Sequence, residues 1–162
     1  MNIELNLGCF AGTLATPVYQ VLEINRSTPL QINWDGEWDR WEVYEEDEVS
    51  TKISVVDLSK IHLAKTNHPT VLERIEYFKT SPFIRADAKI FETLWNRRFD
   101  LLNGWVRADG NNCHISFEGT LFKSCRSFGV IEMIHNGIEW KWHIHRLTDD
   151  GSASSASVVI ER

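Results

Sequence analysis

Two groups of residues in this sequence have the types and spacing to do chemistry. His143 and His145 stand two apart, so on a strand both imidazoles project from one face and can approach a single metal ion or substrate. Cys113, His114, Cys125 and His135 fall in the same region and could add ligands. The Cys and His spacings match no zinc template, however, and polar histidines beside Glu139 and Lys141 on a solvated face explain the pair without a metal. No metal and no cofactor is expected, and His143 and His145 stand as the alternative pair for ligand binding or acid–base work.

The second group is acidic. Between Asp35 and Glu48 there are eight acids against Arg40 alone, a net charge of −7, while the whole chain carries −6. The protein's net negative charge is therefore accounted for by one ribbon, interleaved with Trp34, Trp38 and Trp41. Charge runs commonly form only a solvated face. The functional alternative is a contact surface for a basic protein, in which Asp35, Glu37, Asp39, Glu42, Glu45, Glu46, Asp47 and Glu48 steer encounter and Trp38 or Trp41 supplies a desolvated anchor. A calcium loop on the same acids fails, because Arg40 stands where an EF-hand needs glycine.

Other chemistry finds little footing. There is no Gly-x-Ser-x-Gly elbow and no glycine-rich phosphate loop, the serines from Ser152 to Ser157 lie in a turn-like stretch, and Cys125 beside Arg126 is a weak hint of an activated thiol. Arg85, Lys89, Arg97, Arg98 and Arg107 surround a helical stretch and read as its solvated face or as internal partners for the acidic ribbon.

The elements that must hold these groups follow from pattern. Ile3, Leu5 and Leu7 alternate as in a strand, and the mostly apolar stretch from Val18 to Ile24 reads as a second. Over residues 30–44, Leu30, Ile32 and Trp34 alternate, Asp35-Gly36 signals a turn, and Trp41, Val43 and Tyr44 suit a returning strand. A helix bearing all three tryptophans on one seam is the alternative there. Thr70 and Glu73 have the form of a capping box before Leu72, Ile75 and Phe78. From Asp87 a stripe of Ile90, Phe91, Leu94, Trp95, Phe99 and Leu102 predicts a helix ending near Gly104 and covering a sheet.

The last third returns to strands. Asn136-Gly137 predicts a two-residue turn that sets Met133 opposite Trp140, Glu132 opposite Lys141 and Ile131 opposite Trp142, with Trp140, Trp142 and Ile144 on the core face and His135 on the face away from His143 and His145. Strands at 113–122 and 157–160 complete the sheet, and Cys113 and Cys125 read as small buried residues.

Size and composition frame these readings. At 162 residues, with 43% hydrophobic and 25% charged residues, the chain can bury a full core as one domain. Residues 1–162 are predicted to form a single α+β domain, a mainly antiparallel sheet with two central helices packed on one side, a partly closed barrel being a variant. The negative charge argues against direct nucleic-acid binding. Three cysteines without Cys-x-x-Cys spacing, no signal-like start and no long apolar run predict a cytoplasmic protein with no membrane segment. The function expected is that of a non-enzymatic acidic protein that neutralises or adapts a basic, nucleic-acid-binding or nuclease-like partner, as immunity, antitoxin or anti-defence proteins do. A small-ligand or metal-dependent enzyme using His143 and His145 is the alternative.

Overall fold

A computed structural model describes residues 21–32, 40–101, 105, 113–147 and 155–162. In chain order its elements are β1 (Val21–Glu23), β2 (Glu42–Glu46), β3 (Val55–Asp57), β4 (Ile61–Ala64), α1 (Val71–Lys79), β5 (Phe83–Arg85), α2 (Ala88–Asn96), α3 (Arg98–Leu101), β6 (Cys113–Lys123), β7 (Phe128–His135), β8 (Trp140–Arg146) and β9 (Ser155–Glu161). Seven strands make one sheet in the order β4-β9-β6-β7-β8, with β2 added to β6 and β5 to β9, while β1 and β3 pair separately. All of these pairings are antiparallel except that of β6 with β9. The architecture is the predicted α+β class, and the described strands close no barrel. No described helix is long and apolar enough to cross a membrane.

The central strands are buried on both faces, and this decides where the helices go. Successive side chains of a strand point to opposite faces, so Ile115, Phe117, Ile131, Met133 and Ile144 gather on one side with Ile90, Phe91 and Leu94 of α2. Phe91 packs edge-on against Phe117 at 5.3 Å and against Trp142 at 5.8 Å. On the other side Val130 meets Val71 and Ile75 of α1, and Val159 meets Phe78. The two helices therefore cover opposite faces, where the sequence pattern placed them on one. Val130 and Val159 leave an apolar strip on the second face that also has to be sealed from water.

Both helix starts follow from local chemistry. Thr70 accepts from Glu73 N while the Glu73 carboxylate takes the Thr70 N–H, the capping box expected there. The buried stripe of α1 is Val71, Ile75 and Phe78, and Leu72 is half exposed. Asp87 caps α2 by accepting from Lys89 N and Ile90 N. The single long helix expected from Asp87 instead ends at Asn96. There Arg98 turns back to donate to the Trp95 carbonyl at 2.8 Å and lays its guanidinium over the Trp95 and Phe99 rings. Phe99 is thereby left at the surface, 71% exposed.

The N-terminal readings survive in part. Strand β1 lies inside the stretch from Val18 to Ile24, whereas residues 2–7, Trp34 to Asp39 and Gly104 lie outside the described residues. Strand β2 is the returning strand expected after Asp35-Gly36, so residues 42–46 are not helical. Its partner is β6, not the stretch from Leu30 to Ile32, which forms no strand. Gly119 lies where β6 is crossed by the chain after β5. A Cβ there would stand 2.5 Å from the Arg85 carbonyl oxygen, and the Gly119 N–H donates to the Ala86 carbonyl at 2.9 Å.

Candidate functional site

The histidine pair is positioned by the turn between β7 and β8. Gly137 adopts the expected positive φ of 88°. Asn136 Oδ1, however, accepts from both Ile138 N and Glu139 N, which holds a wider loop than two residues. His135 then pairs with Trp140, Met133 with Trp142, Glu132 with His143 and Ile131 with Ile144. The register is two residues away from the one that Asn136-Gly137 alone predicts. Because the side-chain period of a strand is also two, every residue keeps its expected face while its partner changes. Trp140 is buried and Trp142 partly buried against the core, as expected. Lys141, expected opposite Glu132, pairs with Glu139 at 3.0 Å.

The exchange of partners builds a site. Glu132 is only 2% exposed and is ringed by three imidazoles. His114 Nδ1 from β6 lies 2.8 Å from its Oε1, His143 Nε2 lies 3.5 Å from the same oxygen, and His145 Nδ1 lies 3.9 Å from Oε2. Ser116 Oγ donates to Oε2 at 3.5 Å. His145 Nε2 is buried without a hydrogen-bond partner. Burial opposes ionisation of Glu132, yet the hydrogen bond and charge of His114, with the charges of His145 and His143, outweigh it and hold the carboxyl below its ordinary range. The hydrogen bond to Glu132 in turn raises His114 above the usual imidazole value, against the effect of its partial burial.

Of the ligands considered from sequence, His114, His143 and His145 come together. Cys113 and His135 pair with each other on the α2 face, where Cys113 Sγ donates to the Trp105 carbonyl, and Cys125 is exposed rather than buried. Glu132 was missed because its partner was misassigned. Its face was legible from parity alone.

The acidic ribbon divides. Asp35, Glu37, Trp38 and Asp39 lie outside the described residues. Trp41 is buried in the main core at 6% exposure, so it is not a presented anchor. Asp47 is also engaged, pairing with Arg85 Nε at 3.1 Å and accepting from Val49 N and Ser50 N. Of the two readings of Arg85, a solvated helix face or an internal partner of the ribbon, the second describes its place. Every residue of β2 is exposed, including Glu42, Glu45 and Glu46, and so is Glu48. Tyr44 stands at a bulge, since Val43 pairs with Phe122 and Glu45 already with Leu121.

Glu45, Glu46 and Asp47 line a cleft of about 100 Å³ between β2 and α1, together with apolar Leu72, Ile75 and Leu121 and with Lys79 and Arg85, the latter already paired with Asp47. Behind it, Arg74 Nε meets Glu118 Oε1 at 2.7 Å and Ser157 Oγ donates to Oε2 at 3.0 Å, a fully buried charge pair that no pattern in the sequence announces. Burial pushes the Glu118 carboxyl up, and Arg74, Ser157 and Arg85 oppose that shift.

No protein-family model matches the chain, and comparison with curated proteins and with solved structures yields no significant match.

Proposed function

We propose that this protein binds a basic protein partner through the acidic surface of β2, and acts by neutralising or adapting that partner in the cytoplasm. The observation that carries the reading is the cleft beside Glu45 and Glu46. Its volume of about 100 Å³ is far below the roughly 300 Å³ at which small-molecule sites begin, so it suits one side chain better than a whole substrate. Leu72, Ile75 and Leu121 offer apolar walls for an alkyl stem, and the carboxylates at the rim offer acceptors for its cationic head. A lysine or arginine of the partner meets both demands. Glu42 and Glu48 extend the same charge beyond the cleft and favour fast, salt-sensitive encounter.

The decisive experiment is recovery of a partner from a lysate of the source organism at low and high salt, with wild type and with Glu45→Lys/Glu46→Lys as bait. A basic protein retained at low salt by wild type and lost by the double variant is the expected result. Equal recovery by both baits removes the reading.

A further inference from the structure

We propose that Glu132, His143 and His145 form a binding site for a divalent transition-metal ion, with His114 positioning the carboxylate. This site lies apart from the partner surface proposed above. His114 and Ser116 stand near the start of β6, whereas β2 joins the far end of that strand at residues 120–123.

The geometry is close to what such an ion requires. One donor atom from each of the three residues can be chosen so that all lie within 4.8 Å of one another. A metal with bonds of about 2.0–2.2 Å holds adjacent donors roughly 3.4 Å apart in tetrahedral geometry. The His143 Nε2 to Glu132 Oε1 distance of 3.5 Å meets that spacing, and His145 Nδ1 lies 3.9 Å from the other carboxylate oxygen, Oε2. All three residues sit on strands in fixed register, which holds such a constellation better than a loop does.

The donor set selects the class of ion. Two imidazoles and a carboxylate suit zinc or ferrous iron, whereas calcium and magnesium favour oxygen ligands throughout. Three protein donors leave a coordination position for water, the arrangement of reactive rather than closed structural sites. His143, with a side chain 37% exposed, marks the side from which an ion and its water can enter. His114 belongs to the supporting layer, because its Nδ1 lies 2.8 Å from Glu132 Oε1 and fixes the carboxylate between the two strands.

The test uses the full chain, treated with chelator, dialysed and titrated with zinc, followed by calorimetry and thermal melting, with cobalt(II) as a spectroscopic probe. One equivalent of zinc per chain, a raised melting temperature and visible cobalt absorption are expected. His143→Gln, at the exposed edge where folding is least at risk, should weaken zinc by more than about 100-fold, and His114→Gln by about 10- to 100-fold. His62→Gln, on β4 beside Glu161, should change nothing. Glu132→Gln separates a built site from chance capture by surface histidines. If that variant keeps its circular dichroism and binds zinc as tightly as wild type, the proposal is overturned. Absence of binding to wild type, or unchanged affinity in His143→Gln, overturns it as well.

Discussion

Glu132 and His143 stand directly opposite each other on β7 and β8, with the histidine Nε2 3.5 Å from the carboxylate, because the turn between the strands holds more than Asn136 and Gly137. Had the strands met across those two residues alone, the carboxylate would face Lys141 and no imidazole would be its direct cross-strand neighbour. The width of one loop thus determines whether this face carries an ordinary ion pair or a cluster of histidines around a buried acid.

The cluster makes stability depend on pH in a definable way. His114 is raised in the folded protein, so its contribution is complete below the ordinary value of 6.5 and fades as pH rises through the raised value. Glu132 is lowered, so its contribution is complete above its ordinary value of 4.5 and fades as pH falls through the lowered one. The pair therefore helps most between about pH 4.5 and 6.5. Melting of metal-free wild type and His114→Gln across pH should show their largest gap there and a shrinking gap toward about pH 9. A constant gap would mean that the histidine contributes packing alone.

Arg74 and Glu118 lie at 4% and 1% side-chain exposure, so removing one partner strands the other in a dry interior. Arg74→Ala should cost about 3 to 5 kcal/mol in denaturant unfolding. Replacing Arg74 and Glu118 together with apolar residues of similar volume should cost much less than Arg74→Ala alone. Equal losses would show that the paired charges themselves, and not the stranding of Glu118, supply the stability.

Phe91 joins α2 to the sheet through Phe117 and Trp142, and it is 2% exposed. Phe91→Ala should destabilise by about 3 to 5 kcal/mol through lost burial and the cavity left behind. Near wild-type stability by chemical unfolding would contradict the packing of α2 on this face.

For the proposed partner surface, charge reversal at Glu45, Glu46 and Glu48 should slow association and flatten its salt dependence while leaving the melting temperature nearly unchanged. Leu72→Ser, which alters a half-exposed wall of the cleft without touching charge, should act on dissociation instead. Stopped-flow or surface-binding kinetics with the recovered partner separate the two effects, and unchanged rates in both variants would leave the ribbon as a solvated face.

Short-range chemistry was the legible part of this fold. The capping box at Thr70, the start of a helix near Asp87, the core parity of Met133 and Trp140, and the shared face of His143 and His145 all follow from residues a few positions apart. What was not legible depends on partners distant in sequence. Arg74 sits on a helix between apolar residues and becomes buried because Glu118, 44 residues away, meets it. Glu132 needed the correct loop width before its neighbours could be named. Trp41 pointed toward a surface in the acidic context of its own segment, and the core it enters is built from strands and helices that follow it.

Strand β9 has a bearing on how quickly the chain reaches its native state. Among the described pairings it alone ties β4 and β5 to the sheet formed by β6, β7 and β8, and it does so by lying between them, parallel to β6 and antiparallel to β4 and β5. The hairpin of β7 and β8 can form early from neighbouring residues. The two halves of the sheet must then wait for a segment that joins residues about a hundred positions apart, Ile61 with Ile160. Such closure is entropically expensive before any contact rewards it, so refolding should be slow for a chain of this length and its rate-limiting step should involve docking of β9.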